Sequence, residues 1–140
     1  MTLKSSGTDN RESIKLRGMV TSGVRQSKFF TEIPWVKKQL IDKLGIDPYP
    51  GTFNIIVMAE DKEKLNTVRE SEGIEITPED ANFCTANSFP VLVNGKIKGA
   101  AIIPLVANYP QAQLEVVSTE NIKRSLSLKD GDLVEVEVYL

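Results

Sequence analysis

Val91-Leu92-Val93-Asn94-Gly95-Lys96-Ile97-Lys98-Gly99 joins two β-prone runs, Phe83 to Val93 and Lys96 to Ile103, through an Asn-Gly pair. A two-residue type I′ turn needs positive φ at both central positions, and Asn followed by Gly meets that demand at least cost. The stretch predicts an antiparallel hairpin. Downstream, Leu114 to Val117 reads as a further short strand, and Thr119 can cap a brief helix through Leu126. Asp130-Gly131 then turns the chain into Leu133 to Tyr139, where Val134, Val136 and Val138 alternate with Glu135 and Glu137.

Upstream of the hairpin, Ile14 to Ser22 has the same strand period, with Ile14, Leu16 and Val20 set between Lys15, Arg17 and Thr21, and it ends at Gly23. Pro34 opens a segment in which Val36, Leu40, Ile41 and Leu44 recur at helical spacing, and Gly45 stands at the C-cap position. This helix is expected to pack through Val36, Leu40 and Leu44. Asp47-Pro48-Tyr49-Pro50-Gly51 is a rigid turn cluster leading into a strand from Thr52 to Met58, with Phe53, Ile55 and Val57 on one face and Thr52 and Asn54 on the other. In the charged run Ala59 to Glu72 only Leu65 and Val68 give a weak helical signal, which predicts a solvated short helix or loop. Six or so strands, two or three short helices and no strict β-α alternation predict a mainly β fold, a closed or nearly closed barrel over residues 14–140. The polar residues 1–13 are expected to form a flexible leader.

The 140 residues suit one domain, and seventeen basic against nineteen acidic side chains give a net charge of −2. Bulk charge therefore offers no pull toward nucleic acid or anionic membrane, and neither is expected as a partner. The chain has no histidine, which removes the commonest general base and zinc ligand and every histidine-dependent triad. Chemistry must fall to carboxylates, hydroxyls, amides, lysine or backbone. Cys84 is the sole cysteine, so no intrachain disulfide can form; a reducing, cytoplasmic setting and a role as a small apolar filler are expected.

Three features can carry chemistry. Thr52 and Asn54, two apart on one strand face, present a hydroxyl and a carboxamide oxygen together. Such hard donors suit a magnesium ion shared with phosphates, and equally they can satisfy backbone groups of the turn. Gly23-Val24-Arg25-Gln26-Ser27-Lys28 follows a strand and can wrap an anion with backbone N–H groups plus Arg25 or Lys28, or be an ordinary connection. Glu115, on the polar face of its strand, can accept hydrogen bonds from a ligand's hydroxyls or simply be solvated.

Taken in order, Gly18-Met19-Val20-Thr21-Ser22-Gly23, the turn Gly45 to Asn54, Gly99-Ala100-Ala101-Ile102-Ile103-Pro104, Leu114-Glu115-Val116-Val117 and Leu128-Lys129-Asp130-Gly131-Asp132 resemble the archaeal-type CTP-dependent riboflavin kinases. The resemblance spans about Ile14 to Tyr139, and its most specific piece is Pro48-Tyr49-Pro50-Gly51-Thr52-Phe53-Asn54, where the family form has leucine at Phe53. It implies a six-stranded cradle-loop barrel of the RIFT type. It also implies transfer of the γ-phosphate of CTP to the 5′-hydroxyl of riboflavin, giving FMN and CDP. By position it makes Thr52 and Asn54 the Mg²⁺ ligands. It places the phosphates against Gly23, Val24, Arg25, Gln26, Ser27 and Lys28, and the cytidine near Glu120, Asn121, Ile122 and Lys123. Glu115 falls on the flavin-contacting glutamate and is the candidate for orienting or deprotonating the hydroxyl; Ala107 falls at or beside a flavin-contacting threonine. The chain departs from the family pattern in two places. Side chains replace glycines after Gly23, and Ala107-Asn108-Tyr109-Pro110 replaces a polar, often histidine-containing stretch. The alternative reading is a flavin- or nucleotide-binding module on the same barrel without turnover.

Overall fold

The computed structural model describes residues 12–22 and 30–140. Seven strands form the frame: β1 (Ser13–Thr21), β2 (Phe53–Val57), β3 (Ile74–Ile76), β4 (Ala86–Val93), β5 (Ile97–Pro104), β6 (Gln113–Val117) and β7 (Leu133–Tyr139). Every pairing is antiparallel, and six strands close in the order β4-β5-β6-β2-β1-β7 and back to β4. The expected six-stranded barrel is present. The Asn94-Gly95 turn has φ of 50° and 67° at its two centres, as its residue types demand. Asn94 also exchanges hydrogen bonds with Glu135, which pins β7 beside the hairpin.

Closure leaves an inside and an outside to every strand. Val134, Val136 and Val138 of β7, Leu16 and Val20 of β1, and Ile55 of β2 fill the barrel around Phe89. On β5 the alternation sends Ala101 and Ile103 inward, while Ala100 and Ile102 join an outer layer. That layer lies under helix α1 (Pro34–Leu44), whose Val36 and Leu40 are fully buried and whose Leu44 packs at the margin, as the spacing predicts. Pro34 sits in the first turn and Gly45 ends the helix at φ 70°, a left-handed conformation that costs glycine little. β5 and β6 approach closely at Gly99, where an added Cβ would lie 2.5 Å from the Val117 carbonyl oxygen.

Several expectations need correction. The charged run after β2 is the short helix its weak signal allowed, a 3₁₀ turn (Ala59–Asp61) followed by α2 (Lys62–Glu70), but it is not merely solvated: Leu65 and Val68, one helical turn apart, are buried in the barrel core. Their i, i+3 spacing is a complete apolar stripe for so short a helix. β3, absent from the sequence reading, is three residues long and pairs Ile74 to Ile76 with Ser88 to Ala86. The run from Phe83 becomes strand only at Ala86, because Phe83 instead meets Trp35 edge-on at 5.5 Å; Cys84 is exposed rather than core filler. The short helix α3 (Ile122–Ser125) is capped by Asn121, whose side chain accepts from the Arg124 N–H, and not by Thr119. The expected leader lies outside the described residues up to position 11, and Ser13 already belongs to β1.

α2 is fastened at its start by Asp61, whose buried carboxylate accepts the Arg17 backbone N–H at 2.8 Å and lies near Lys64 at 3.7 Å. The hydrogen bonds from Arg17, backbone first, hold the Asp61 carboxyl below its ordinary range. A carboxylate lowered on folding stabilises the native state fully above the unfolded value near 3.9, and that contribution fades as pH falls through the folded value. Asp61→Asn should therefore flatten the loss of stability with acid below about pH 4, measured by urea unfolding at stepped pH. A parallel acid slope in parent and variant would show that Asp61 does not carry it.

Candidate active site

The turn Asp47 to Gly51 delivers Thr52 and Asn54 to one end of the barrel. Tyr49 N–H donates to the Ser118 carbonyl at 2.7 Å, and Gly51, at φ 99°, points its N–H at the Thr31 hydroxyl at 2.8 Å. Only glycine adopts that φ freely, so Gly51 lets the chain reverse sharply into β2. Asn54 then stands opposite Glu115 in the β2–β6 register, which puts both side chains on the same outer face.

On that face the polar atoms interlock. Asn54 Nδ2 donates to the Thr52 carbonyl at 3.0 Å and to Thr52 Oγ1 at 3.1 Å, and Asn54 is 3% exposed. Thr52 has one hydroxyl proton for two acceptors, Glu115 Oε1 at 3.1 Å and Asn54 Oδ1 at 3.4 Å. The shorter contact ends on a carboxylate and takes the proton. Glu115 Oε2 accepts from the Tyr109 hydroxyl at 2.6 Å, with Gln113 Nε2 at 3.5 Å. Burial first, and then the hydrogen bond to Glu115, push the Tyr109 phenol above its ordinary ionisation range.

Two cavities flank this cluster. One, of about 190 Å³, lies between the turn Tyr49 to Phe53 and the residues Glu120 to Lys123, so Thr52 shares it with all four residues of the expected cytidine end. Within it Ile122 is a core side chain, Asn121 spends its side-chain oxygen on the helix cap, and Glu120 accepts from Ser125 at 2.8 Å. Lys123 pairs with Asp130 at 2.8 Å, and Asp130 also accepts from Ser22, the last described residue of the β1 end, at 2.6 Å. The other cavity, of about 330 Å³, is walled by Arg69 of α2 and by the loop that carries Ala107, Tyr109 and Gln111. Arg69 holds that loop by donating to Gln111 Oε1 at 3.1 Å and to the Pro110 carbonyl at 3.2 Å.

The structure therefore gathers Thr52, Asn54 and Glu115 into one cluster, sets Glu120 to Lys123 across the first cavity, and sets exposed Ala107 beside the second. The expected phosphate segment, 23–28, lies outside the described residues. Sequence reading passed over Tyr109, Gln113, Thr31 and Arg69. Gln113 and Glu115 do alternate on β6, which was a visible hint; Arg69 and Thr31 act from remote segments that no local pattern connects to the site.

A closed antiparallel barrel carries one polar cluster with a cavity on either side of it. Residues 20–138 match the family model CTP-dep_RFKase, described as Domain of unknown function DUF120. A curated riboflavin kinase of Archaeoglobus fulgidus is 40% identical over 135 residues, covering 94% of this chain and 58% of its own length. The riboflavin kinase of Saccharolobus solfataricus is 30% identical over 132 residues, covering 91% and 75%, and that of Sulfurisphaera tokodaii is 32% identical over 132 residues, covering 91% and 96%. The chain thus spans a little over half the length of the first relative and nearly all of the third. It belongs to the CTP-dependent riboflavin kinase family. No described helix is long and apolar enough to cross a membrane.

Proposed function

We propose that this protein phosphorylates riboflavin at its 5′-hydroxyl with CTP as donor, giving FMN and CDP. The observation that carries this reading is the Thr52–Glu115 hydrogen bond between the two cavities, with Asn54 locked beside it. Nucleotide takes the cavity between Thr52 and Lys123, and flavin takes the one walled by Tyr109 and Ala107. Glu115, at the boundary, orients the 5′-hydroxyl and accepts its proton. The new O–P bond forms as the bond from the γ-phosphorus to the β–γ bridging oxygen breaks, releasing CDP.

The donor set fits magnesium. Thr52 Oγ1, donating to Glu115 and accepting from Asn54 Nδ2, keeps one lone pair free, Asn54 Oδ1 lies 3.4 Å from it, and both are hard oxygens. Thr52 and Asn54 would hold the ion; when bound it neutralises charge on the transferring phosphates. No group of three or more acidic, histidine or cysteine ligands exists among the described residues, which suits an ion taken up with the nucleotide rather than caged by protein. Cytoplasmic location accords with this substrate pair.

The loop Gly23 to Lys28 must meet the phosphates without the extra glycines, so charge on Arg25 or Lys28 takes the place of close backbone approach. Arg25→Ala with Lys28→Ala should weaken CTP about tenfold or more, since a charge-assisted contact is worth about 1.5–3 kcal/mol. The test assays FMN formation from riboflavin with CTP and with ATP in the parent and this variant. A parent that makes no FMN with either nucleotide overturns the kinase reading, and equal CTP affinity in both proteins removes the phosphate role from these side chains.

A further inference from the structure

The loop after β5 brings a tyrosine to the carboxylate at the centre of the site. Tyr109 lies outside any strand, half-buried, in a loop that Arg69 clamps from α2 through Pro110 and Gln111. Its hydroxyl reaches Glu115 Oε2 at 2.6 Å, shorter than the 3.1 Å contact that Thr52 makes to Oε1. Glu115 is thus fixed at both oxygens, from the nucleotide-side cavity by Thr52 and from the flavin-side cavity by Tyr109. A carboxylate that must receive one hydroxyl in one orientation gains from such a brace. A free glutamate would spread over several rotamers, and an acceptor hydroxyl would meet it in several geometries.

We propose that Tyr109 is a positioning residue for the phosphoryl acceptor, holding Glu115 at Oε2 by its phenol so that Oε1, which accepts from Thr52, keeps its second lone pair in a fixed direction. This role rests on the kinase reading above. Ala107 has no polar side chain to offer Glu115, and the phenol two positions further on supplies the donor. Because the ring also walls the flavin-side cavity, the brace and the acceptor's binding surface are one side chain. Its effect belongs to riboflavin and not to CTP.

Tyr109→Phe keeps the ring and removes the hydroxyl, so it separates the brace from the wall. Steady-state FMN formation is measured in the parent, Tyr109→Phe, Glu115→Gln and the double variant, with riboflavin and CTP varied in turn. Tyr109→Phe should raise the riboflavin KM or lower kcat/KM for riboflavin about tenfold, leave the CTP KM and the melting temperature unchanged, and add nothing in the Glu115→Gln background. Ultraviolet titration of the apoprotein gives a second readout: Glu115→Gln should shift one tyrosine ionisation to lower pH, because the carboxylate no longer opposes it. An equal loss for both substrates, or a full additive loss in the double variant, overturns the positioning role while parental FMN formation stands. A parent that neither quenches flavin fluorescence nor makes FMN overturns the kinase reading, and this role with it.

Discussion

Asn54→Ala is expected to weaken CTP binding in the presence of magnesium by more than a hundredfold while the barrel stays folded. The size follows from the coupling around Thr52. Asn54 supplies one hard oxygen itself, and its Nδ2 also fixes the Thr52 carbonyl and hydroxyl, so truncation removes one donor and frees the other. Two displaced donors at about 1.5–3 kcal/mol each exceed the 2.7 kcal/mol that a hundredfold represents. The structural cost is smaller, since the Thr52 carbonyl loses one partner at the end of β2 where water can replace it. Calorimetry with CTP, with and without magnesium chloride, beside a thermal melt, separates the two. Unchanged affinity with magnesium would mean that the turn is only structural.

Gly99→Ala should be the more damaging of the two alanine substitutions at glycines within the described strands, Gly18 and Gly99. Its Cβ would meet the Val117 carbonyl oxygen at 2.5 Å and Val116 Cγ1 at 3.0 Å, and the first of these is backbone that cannot rotate away. Either β5 parts from β6 or the barrel deforms, at about 3 kcal/mol or more. For a domain of this size that lowers the melting temperature by roughly 10 °C. Lys98→Ala next door removes only an exposed side chain and should change stability by less than about 0.5 kcal/mol. A melting temperature for Gly99→Ala within two or three degrees of the parent would show that the strands slide apart at little cost.

The hairpin, α1 and β7 were legible because each has a local cause: Asn94-Gly95 for the turn, Pro34 and Gly45 for the helix ends, and the Val134, Val136, Val138 alternation for the strand. β3 was not, since three residues carry too little period to stand out and Ile74 to Ile76 become a strand only by pairing with β4. α2 was undervalued because its charges outnumber its core contacts, although Leu65 and Val68 are nearly inaccessible. At the site, the shared face of Thr52 and Asn54 followed from the period of two. Their link to Glu115 rests on the register between β2 and β6, and Tyr109 reaches that carboxylate from a loop; neither distance has a signature in local sequence. Asn121 and Ile122 line the first cavity while also serving the fold, one as a helix cap and the other as core.

The barrel also has two short seams, β4–β7 and β5–β6, of three residue pairs each. β7 joins β1 over seven residue pairs but meets β4 over only three, Val91 with Val138, Leu92 with Glu137 and Val93 with Val136, because β3 occupies the rest of β4's outer edge and Pro90 lies between. The β1–β7 junction closes the ring over a long stretch of sequence: Ser13 bonds Glu137 across 124 residues of chain, so little of the closure is local and folding should be slow for the chain's size. Lys15 facing Glu137 and Arg17 facing Glu135 select the register as β7 docks. In the ring of six the β4–β7 seam stands diametrically opposite the β2–β6 junction where Asn54 faces Glu115. Breathing motions that open the barrel will therefore begin at its two three-pair seams, and amides along β4–β7 and β5–β6 should exchange with deuterium before those along the seven-pair β1–β7 junction, so that one of the two places where the barrel comes ajar borders the strand that carries Glu115.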